Sequence, residues 1–272
     1  MKSKNLWIVC ILASALCFLS GCGGGDDNES TGSNAGTTGT SSKKDFTPEM
    51  GSVSVAGVVQ FEGSAPARKK LNINKDVAGC MAEHGKTPPL SETVIVNDNK
   101  TLRNVVVYVS KGLAKYSFKK VKKTEPVVFD QVGCVYVPHV QAVMVGQPIH
   151  VKSSDDLAHN VHWKSKKNGD KNISQSSAGA IDKTTFVAKR EEIGTAVFQC
   201  DIHGWMNAFV PVFKHPFYAT TGEDGKFSFD MKLPAGKYTL TAWHEKFGKK
   251  SVKVEVKDGE AKSVVFTYSA KP

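Results

Sequence analysis

Val252-Lys253-Val254-Glu255-Val256 alternates apolar and charged residues with a period of two. That is the mark of a half-buried β-strand, because successive side chains of an extended backbone point to opposite faces. The same grammar recurs upstream. Val53-Ser54-Val55-Ala56-Gly57-Val58-Val59, Val94-Ile95-Val96, residues 104–109 and Thr195-Ala196-Val197-Phe198 are short branched apolar runs, bounded by Gly, Pro, Asn and Asp. Beyond the N-terminal region, no long segment keeps a helical period. The fold class is therefore all-β, built from sandwiches. With 272 residues the chain is long enough for one or two cores.

The N-terminus follows different rules. Lys2 and Lys4 precede a mostly apolar run over residues 6–18, too short to span a bilayer comfortably, and the run ends in Leu19-Ser20-Gly21-Cys22. This order of charge, apolar run and small residues before a cysteine resembles a bacterial lipobox. It implies a signal peptide over residues 1–21 and a lipid-modified Cys22. Residues 22–50 are mostly Gly, Ser, Thr, Asn and Asp. Such a stretch buries too little to order itself and reads as a lipidated, flexible tether. The expected location is the cell envelope, lipid-anchored, either periplasmic or at the outer membrane. Gly23, where an Asp would favour inner-membrane retention, points to the outer one.

The formal net charge is +10. A basic surface steers an acidic redox partner or rests against anionic lipid or cell-wall groups. A nucleic-acid role is disfavoured by export and by lysines dispersed along strands.

Two turn-strand units mark the C-terminal region: Thr220-Thr221-Gly222-Glu223-Asp224-Gly225-Lys226-Phe227-Ser228-Phe229, and Leu233-Pro234-Ala235-Gly236-Lys237-Tyr238-Thr239-Leu240-Thr241-Ala242-Trp243. These resemble the transthyretin-like, carboxypeptidase-regulatory β-sandwich, whose first strand has the form of residues 53–63. The resemblance implies a discontinuous small sandwich, with residues 51–75 completing 216–272 around an inserted domain at 93–215.

Inside that insertion lie the residues that carry chemistry. Phe198-Gln199-Cys200-Asp201-Ile202-His203-Gly204-Trp205-Met206 contains C-x2-H-x2-M, and His159-Asn160-Val161 follows the strand-like Ile149-His150-Val151-Lys152. A metal that shuttles between two oxidation states needs ligands acceptable to both. Imidazole suits either state of copper, thiolate is soft and covalent, and thioether binds weakly at long range. Structural zinc prefers more Cys or His and has no use for Met.

The two motifs together resemble the cupredoxins, and the short ligand loop is closest to the amicyanin type. The resemblance covers about 120 residues. It implies a Greek-key cupredoxin sandwich or barrel holding one type 1 copper through His159, Cys200, His203 and Met206. It further implies that Asn160 ties the two ligand loops together, that His203 is the exposed ligand through which electrons leave, and that Trp205 contributes a docking patch around it. Ile202 and Gly204 depart from the pattern, standing where prolines are common. Ala196 stands where a dinuclear copper site would need a second cysteine.

Cys80 and Cys134 remain, in an oxidising compartment, and are expected to pair as a disulfide. His84 and His139 follow them closely, so a second metal site is one alternative and two unpaired thiols the other. His162 reads as structural or surface, the isolated histidines as core or surface, and Asp155 with Asp156 as turn formers. The function expected is one-electron transfer by a binding protein, not an enzyme, with a membrane anchor and a redox partner protein. Copper storage, delivery or sensing is one alternative. A surface module binding carbohydrate or protein, with a secondary metal site, is another.

Overall fold

In the computed structural model, the structure describes residues 42–85, 87–176 and 184–270. The expected signal peptide, Cys22 and most of the expected tether lie outside the described residues. No helix among the described residues is long and apolar enough to cross a membrane.

Among the described residues the secondary structure is β, apart from one short helix, Val77–Ala82, and a 3-10 turn, Pro48–Met50. Its strands form two sandwiches with separate cores. In the first, an antiparallel sheet runs in the order Tyr218–Thr220, Val106–Lys111, Gly236–His244, Gly248–Val256. Its companion sheet places Ser54–Glu62 between Lys226–Ser228 and the parallel strand Ala261–Ser269. Val55, Val59, Phe227 and Phe266 from the second sheet share a core with Val107, Leu240 and Val254 from the first. Val254 and Val256 are buried while Lys253 and Glu255 are exposed, as the alternation requires.

The second sandwich carries the site. One sheet is Lys171–Gln175, His159–Lys164, Val197–Gln199, Asn207–Phe209; the other is Thr184–Val187, Pro148–Ser153, Val127–Gln131, Tyr136–Val137. Phe198 sits at the centre of its core, with ring centroids 4.9 Å from Trp163, 5.1 Å from Phe186 and 5.2 Å from Phe129. Buried aromatic clusters of this kind fix the strands that flank them. Here those strands are the ones that launch His159 and Cys200.

Two boundaries fall elsewhere than the sequence suggests. Val106–Lys111 pairs with Tyr218–Thr220 and Gly236–His244, so it belongs to the C-terminal sandwich and not to a domain beginning at residue 93. Apart from Cys80 and Ile73, which join it from upstream, the site-bearing core runs from near Val127 to Val212. Val106, Val107, Tyr108 and Val109 are all buried, so this strand is covered on both faces. An unbroken apolar run reads as a central strand without saying of which sheet. Residues 44–50, which the sequence reading assigns to the tether, are also structured. Lys44–Asp45 pairs in parallel with Tyr116–Ser117, and Phe46 is buried with ring centroids 5.2 Å from Phe118 and 5.4 Å from Phe217. A single aromatic supplies the burial that the polar residues around it cannot.

Candidate metal centre

His159 is the first residue of the strand His159–Lys164, and Cys200 follows directly on Val197–Gln199, its neighbour in the sheet. The loop after Cys200 closes on itself: Cys200 donates its backbone N–H to the Met206 carbonyl at 3.2 Å, and Met206 donates to the His203 carbonyl at 2.9 Å. Met206 then enters the strand Asn207–Phe209. Three potential ligand atoms converge. Cys200 Sγ lies 3.9 Å from His159 Nδ1 and 3.8 Å from His203 Nδ1, and the two Nδ1 atoms are 3.0 Å apart. An ion in the plane of the three atoms, with angles of about 120°, would set sulfur and nitrogen about 3.7 Å apart and the two nitrogens about 3.5 Å apart, from bond lengths of ~2.0 Å to nitrogen and ~2.3 Å to sulfur. The triangle thus fits a small ion with a slight widening at the nitrogens. All three side chains are buried, as is Met206.

Each imidazole is held from behind by a carboxylate. His159 Nε2 donates to Asp155 Oδ2 at 2.9 Å, and His203 Nε2 donates to Asp76 Oδ2 at 3.0 Å. A proton committed to Nε2 leaves Nδ1 as the atom that can ligate. Asp155 is itself fixed by the backbone N–H groups of Gly133 and Cys134. Burial alone would raise its pKa, but the bonds from His159 and from those amides outweigh this and hold its carboxyl below the usual range. Burial opposes charge on His159 too, yet its bonds to Asp155 and Cys200, with their charges, raise its pKa to about 9. The Cys200 thiol is pushed up by burial and brought down further by His159 and nearby backbone N–H groups, so it is shifted toward thiolate. Burial lowers the pKa of His203, against the pull of Asp76.

Asn160 links the two ligand segments. Its Oδ1 accepts from the backbone N–H of Asp201 at 2.8 Å and of Ile202 at 3.2 Å, and its Nδ2 donates to Asn172 Oδ1 at 2.7 Å. His203 donates its backbone N–H to Cys200 Sγ at 3.4 Å. His162 points away from the triangle and engages Asp201 and Asp170.

Three features differ from the sequence reading. His203 is not exposed: its relative accessibility is 0%. The segment around Val77–Ala82 covers it, and residues 76–92 carry no motif that announces this role. Trp205 is half-buried rather than a surface patch; its indole N–H bonds the Cys134 carbonyl at 3.0 Å and its ring lies 5.2 Å from His203. Asp155 is more than a turn former, being buried between two backbone amides and His159. An aspartate four residues before a candidate ligand histidine was the available signal. Asp76 was beyond reach because 127 residues separate it from His203.

Cys80 and Cys134 are joined in a disulfide, which leaves Cys200 as the free thiol among the described residues. The disulfide sulfurs and one His203 ring nitrogen lie within 4.8 Å of one another.

No family model and no curated protein matches this chain. Solved structures do. A copper-containing nitrite reductase from Thermus scotoductus SA-01 is 17% identical over 35% of this chain, at a TM-score of 0.29, and the match spans 24% of that enzyme's length. A reduced Cu(I) amicyanin variant is 20% identical over 35% of this chain and 88% of its own, at a TM-score of 0.28. A purple cupredoxin from Nitrosopumilus maritimus is 17% identical over 32% of this chain and 99% of its own, at a TM-score of 0.26. Each likeness is confined to about a third of the chain.

Proposed function

We propose that His159, Cys200, His203 and Met206 hold one copper ion in a type 1 site, and that the protein carries single electrons in the cell envelope. On this reading the sandwich of residues 127–212 is cupredoxin-like and the C-terminal one a transthyretin-like scaffold. The observation that carries the proposal is the buried triangle of Nδ1, Nδ1 and Sγ, with both Nε2 protons occupied by carboxylates. Two imidazoles and one thiolate, with the Met206 thioether supplied by the end of the same loop, match copper's preferences better than those of zinc. Copper, when bound, supplies a one-electron couple between Cu(II) and Cu(I).

The rest is the work of this chain's residues. One sheet holds His159 and Cys200 at the ends of adjacent, hydrogen-bonded strands, so the ligand set changes little with charge. Asn160 ties the Cys200 loop to the His159 strand at two backbone amides. Asp155 and Asp76 keep the histidines from rotating. Phe198 and its neighbours exclude water from below. The protein is a carrier on this reading, not a catalyst. A lipid on Cys22 anchors it, and the basic net charge, +10 for the full chain less the Lys2 and Lys4 that leave with the signal, draws an acidic partner.

The test is titration of the full chain with Cu(II). The expected result is an intense visible thiolate-to-copper band that saturates at one equivalent and is abolished by Cys200→Ala. Colourless binding, or binding that survives Cys200→Ala, would refute the assignment. Rapid surrender of Cu(I) to a competing chelator would favour copper delivery instead.

A further inference from the structure

We infer that Asp76 is a positioning residue for His203, delivered to it by a disulfide-stapled cap formed by residues 73–85. The inference deepens the copper reading and rests on it for its redox consequence, but the placement of His203 is testable without metal.

The loop that carries His203 is a surface loop, since Asp201 and Gly204 on either side are exposed. A histidine in its middle would ordinarily share that exposure. Its accessibility of 0% therefore needs a cover, and the cover comes from a distant part of the sequence. Asp76 adopts a left-handed backbone conformation, φ 47°, immediately before Val77–Ala82. Aspartate tolerates that region better than most residues, though at a cost. The conformation accompanies a carboxylate whose Oδ2 is 3.0 Å from His203 Nε2.

The cap is fastened to the segments that organise the ligands. Cys80 is bonded to Cys134, whose backbone N–H binds Asp155, the partner of His159. His84 Nε2 meets the Gly133 carbonyl at 2.8 Å. Gly79 lies so close to Leu157, two residues before His159, that an added Cβ would come within 2.7 Å of its side chain. Ile73 packs on the same core. Disulfide, glycine contact and histidine bond fix the helix, and the helix fixes Asp76.

Two consequences follow from the charge and the position. The Nε2–H of His203 is held away from water by its carboxylate partner. A negative charge at the far side of a ligand imidazole makes it a better donor and favours the more positive ion, Cu(II), over Cu(I). The Asp76 side chain is 46% exposed, so solvent screens much of this effect and the change is modest. The cap also removes the His203 edge from the surface that a partner would touch.

The test uses the full chain and three variants: Asp76→Asn, Asp76→Ala and, as a charge control on the cap, the exposed Glu83→Gln. In the metal-free protein, the His203 Nε2–H resonance is followed by NMR. It is expected to be protected in wild type and Glu83→Gln, and to exchange at least tenfold faster in Asp76→Ala. In the copper-loaded protein, the ratio of Cu(I) to Cu(II) affinity is expected to rise at least threefold in both Asp76 variants and to stay put in Glu83→Gln. Unchanged proton exchange in Asp76→Ala would overturn the inference, and so would a Glu83→Gln shift as large as that of Asp76→Asn. Protection of the proton in a chain that takes up no copper would leave the placement standing and refute only the metal reading. Circular dichroism and thermal melting establish that each variant is folded.

Discussion

Asp155→Asn isolates the carboxylate that holds His159. In the wild type this side chain accepts three hydrogen bonds, from the amides of Gly133 and Cys134 and from His159 Nε2. Asparagine keeps one carbonyl oxygen, which at the Oδ1 position retains the Gly133 amide, while the Cys134 amide, bound at Oδ2 beside His159, loses its acceptor. Its amide group presents N–H toward His159 and cannot accept from Nε2. The imidazole then favours the tautomer with the proton on Nδ1, the atom that faces Cys200. A hydrogen bond to a charged group contributes about 1.5–3 kcal/mol. That range corresponds to roughly 10- to 150-fold in an equilibrium constant, in line with the 10- to 100-fold typical of lost outer contacts at metal sites. Copper affinity, measured by competition with a chelator of known strength, is expected to fall by that factor. The neighbouring Asp156 is exposed. Asp156→Asn is expected to bind within about twofold of wild type, as surface changes away from a site do. Affinity of Asp155→Asn within threefold of wild type would refute the claim that this carboxylate sets the His159 tautomer.

Stability is expected to fall with acid between pH 6.5 and 5 because burial lowers the pKa of His215 and of His244 to about 4. Below 6.5 the unfolded chain binds protons that the folded chain refuses, so each group costs up to ~1.4 kcal/mol per pH unit, and urea midpoints for His215→Phe should fall less steeply with acid than those of the wild type. Replacing both Cys80 and Cys134 by Ala, which opens a link across 54 residues, is expected to cost about 4 kcal/mol in chemical denaturation. A loss below 1 kcal/mol would show that the cap is held by its other contacts. Phe46→Ala is expected to destabilise the C-terminal sandwich by about 3–5 kcal/mol, since the ring is enclosed by Tyr116, Phe118 and Phe217. An unchanged melting temperature would return residues 44–50 to the tether.

How much of this was legible beforehand depended on sequence distance. Period-two alternation at Val252–Val256 and the branched runs upstream identify strands because burial on one face acts locally. The C-x2-H-x2-M spacing brings Cys200, His203 and Met206 into one loop for the same reason, and His159 joins them through an adjacent strand. What the pattern could not show was ownership. Val106–Lys111 is apolar on both faces, so nothing in it distinguishes the strand's own sandwich from the other. The cover over His203 is harder still. It depends on Asp76, on Gly79 against Leu157 and on a disulfide, and no local rule connects residues 76–85 with a loop at 200–206. An expected signal peptide and two leftover cysteines make the disulfide a reasonable expectation; that it sits beside a candidate ligand is not visible in the sequence. Asp155 was misjudged because an aspartate before a loop has a common explanation in turns, and only its burial shows the other.

The most direct test of the central claim is X-ray absorption at the copper edge on the full chain loaded with one equivalent. One short sulfur scatterer and two nitrogen scatterers are expected, with the sulfur lost in Cys200→Ala and one nitrogen lost in His159→Ala. A shell of nitrogen and oxygen alone, unchanged by either substitution, would contradict it.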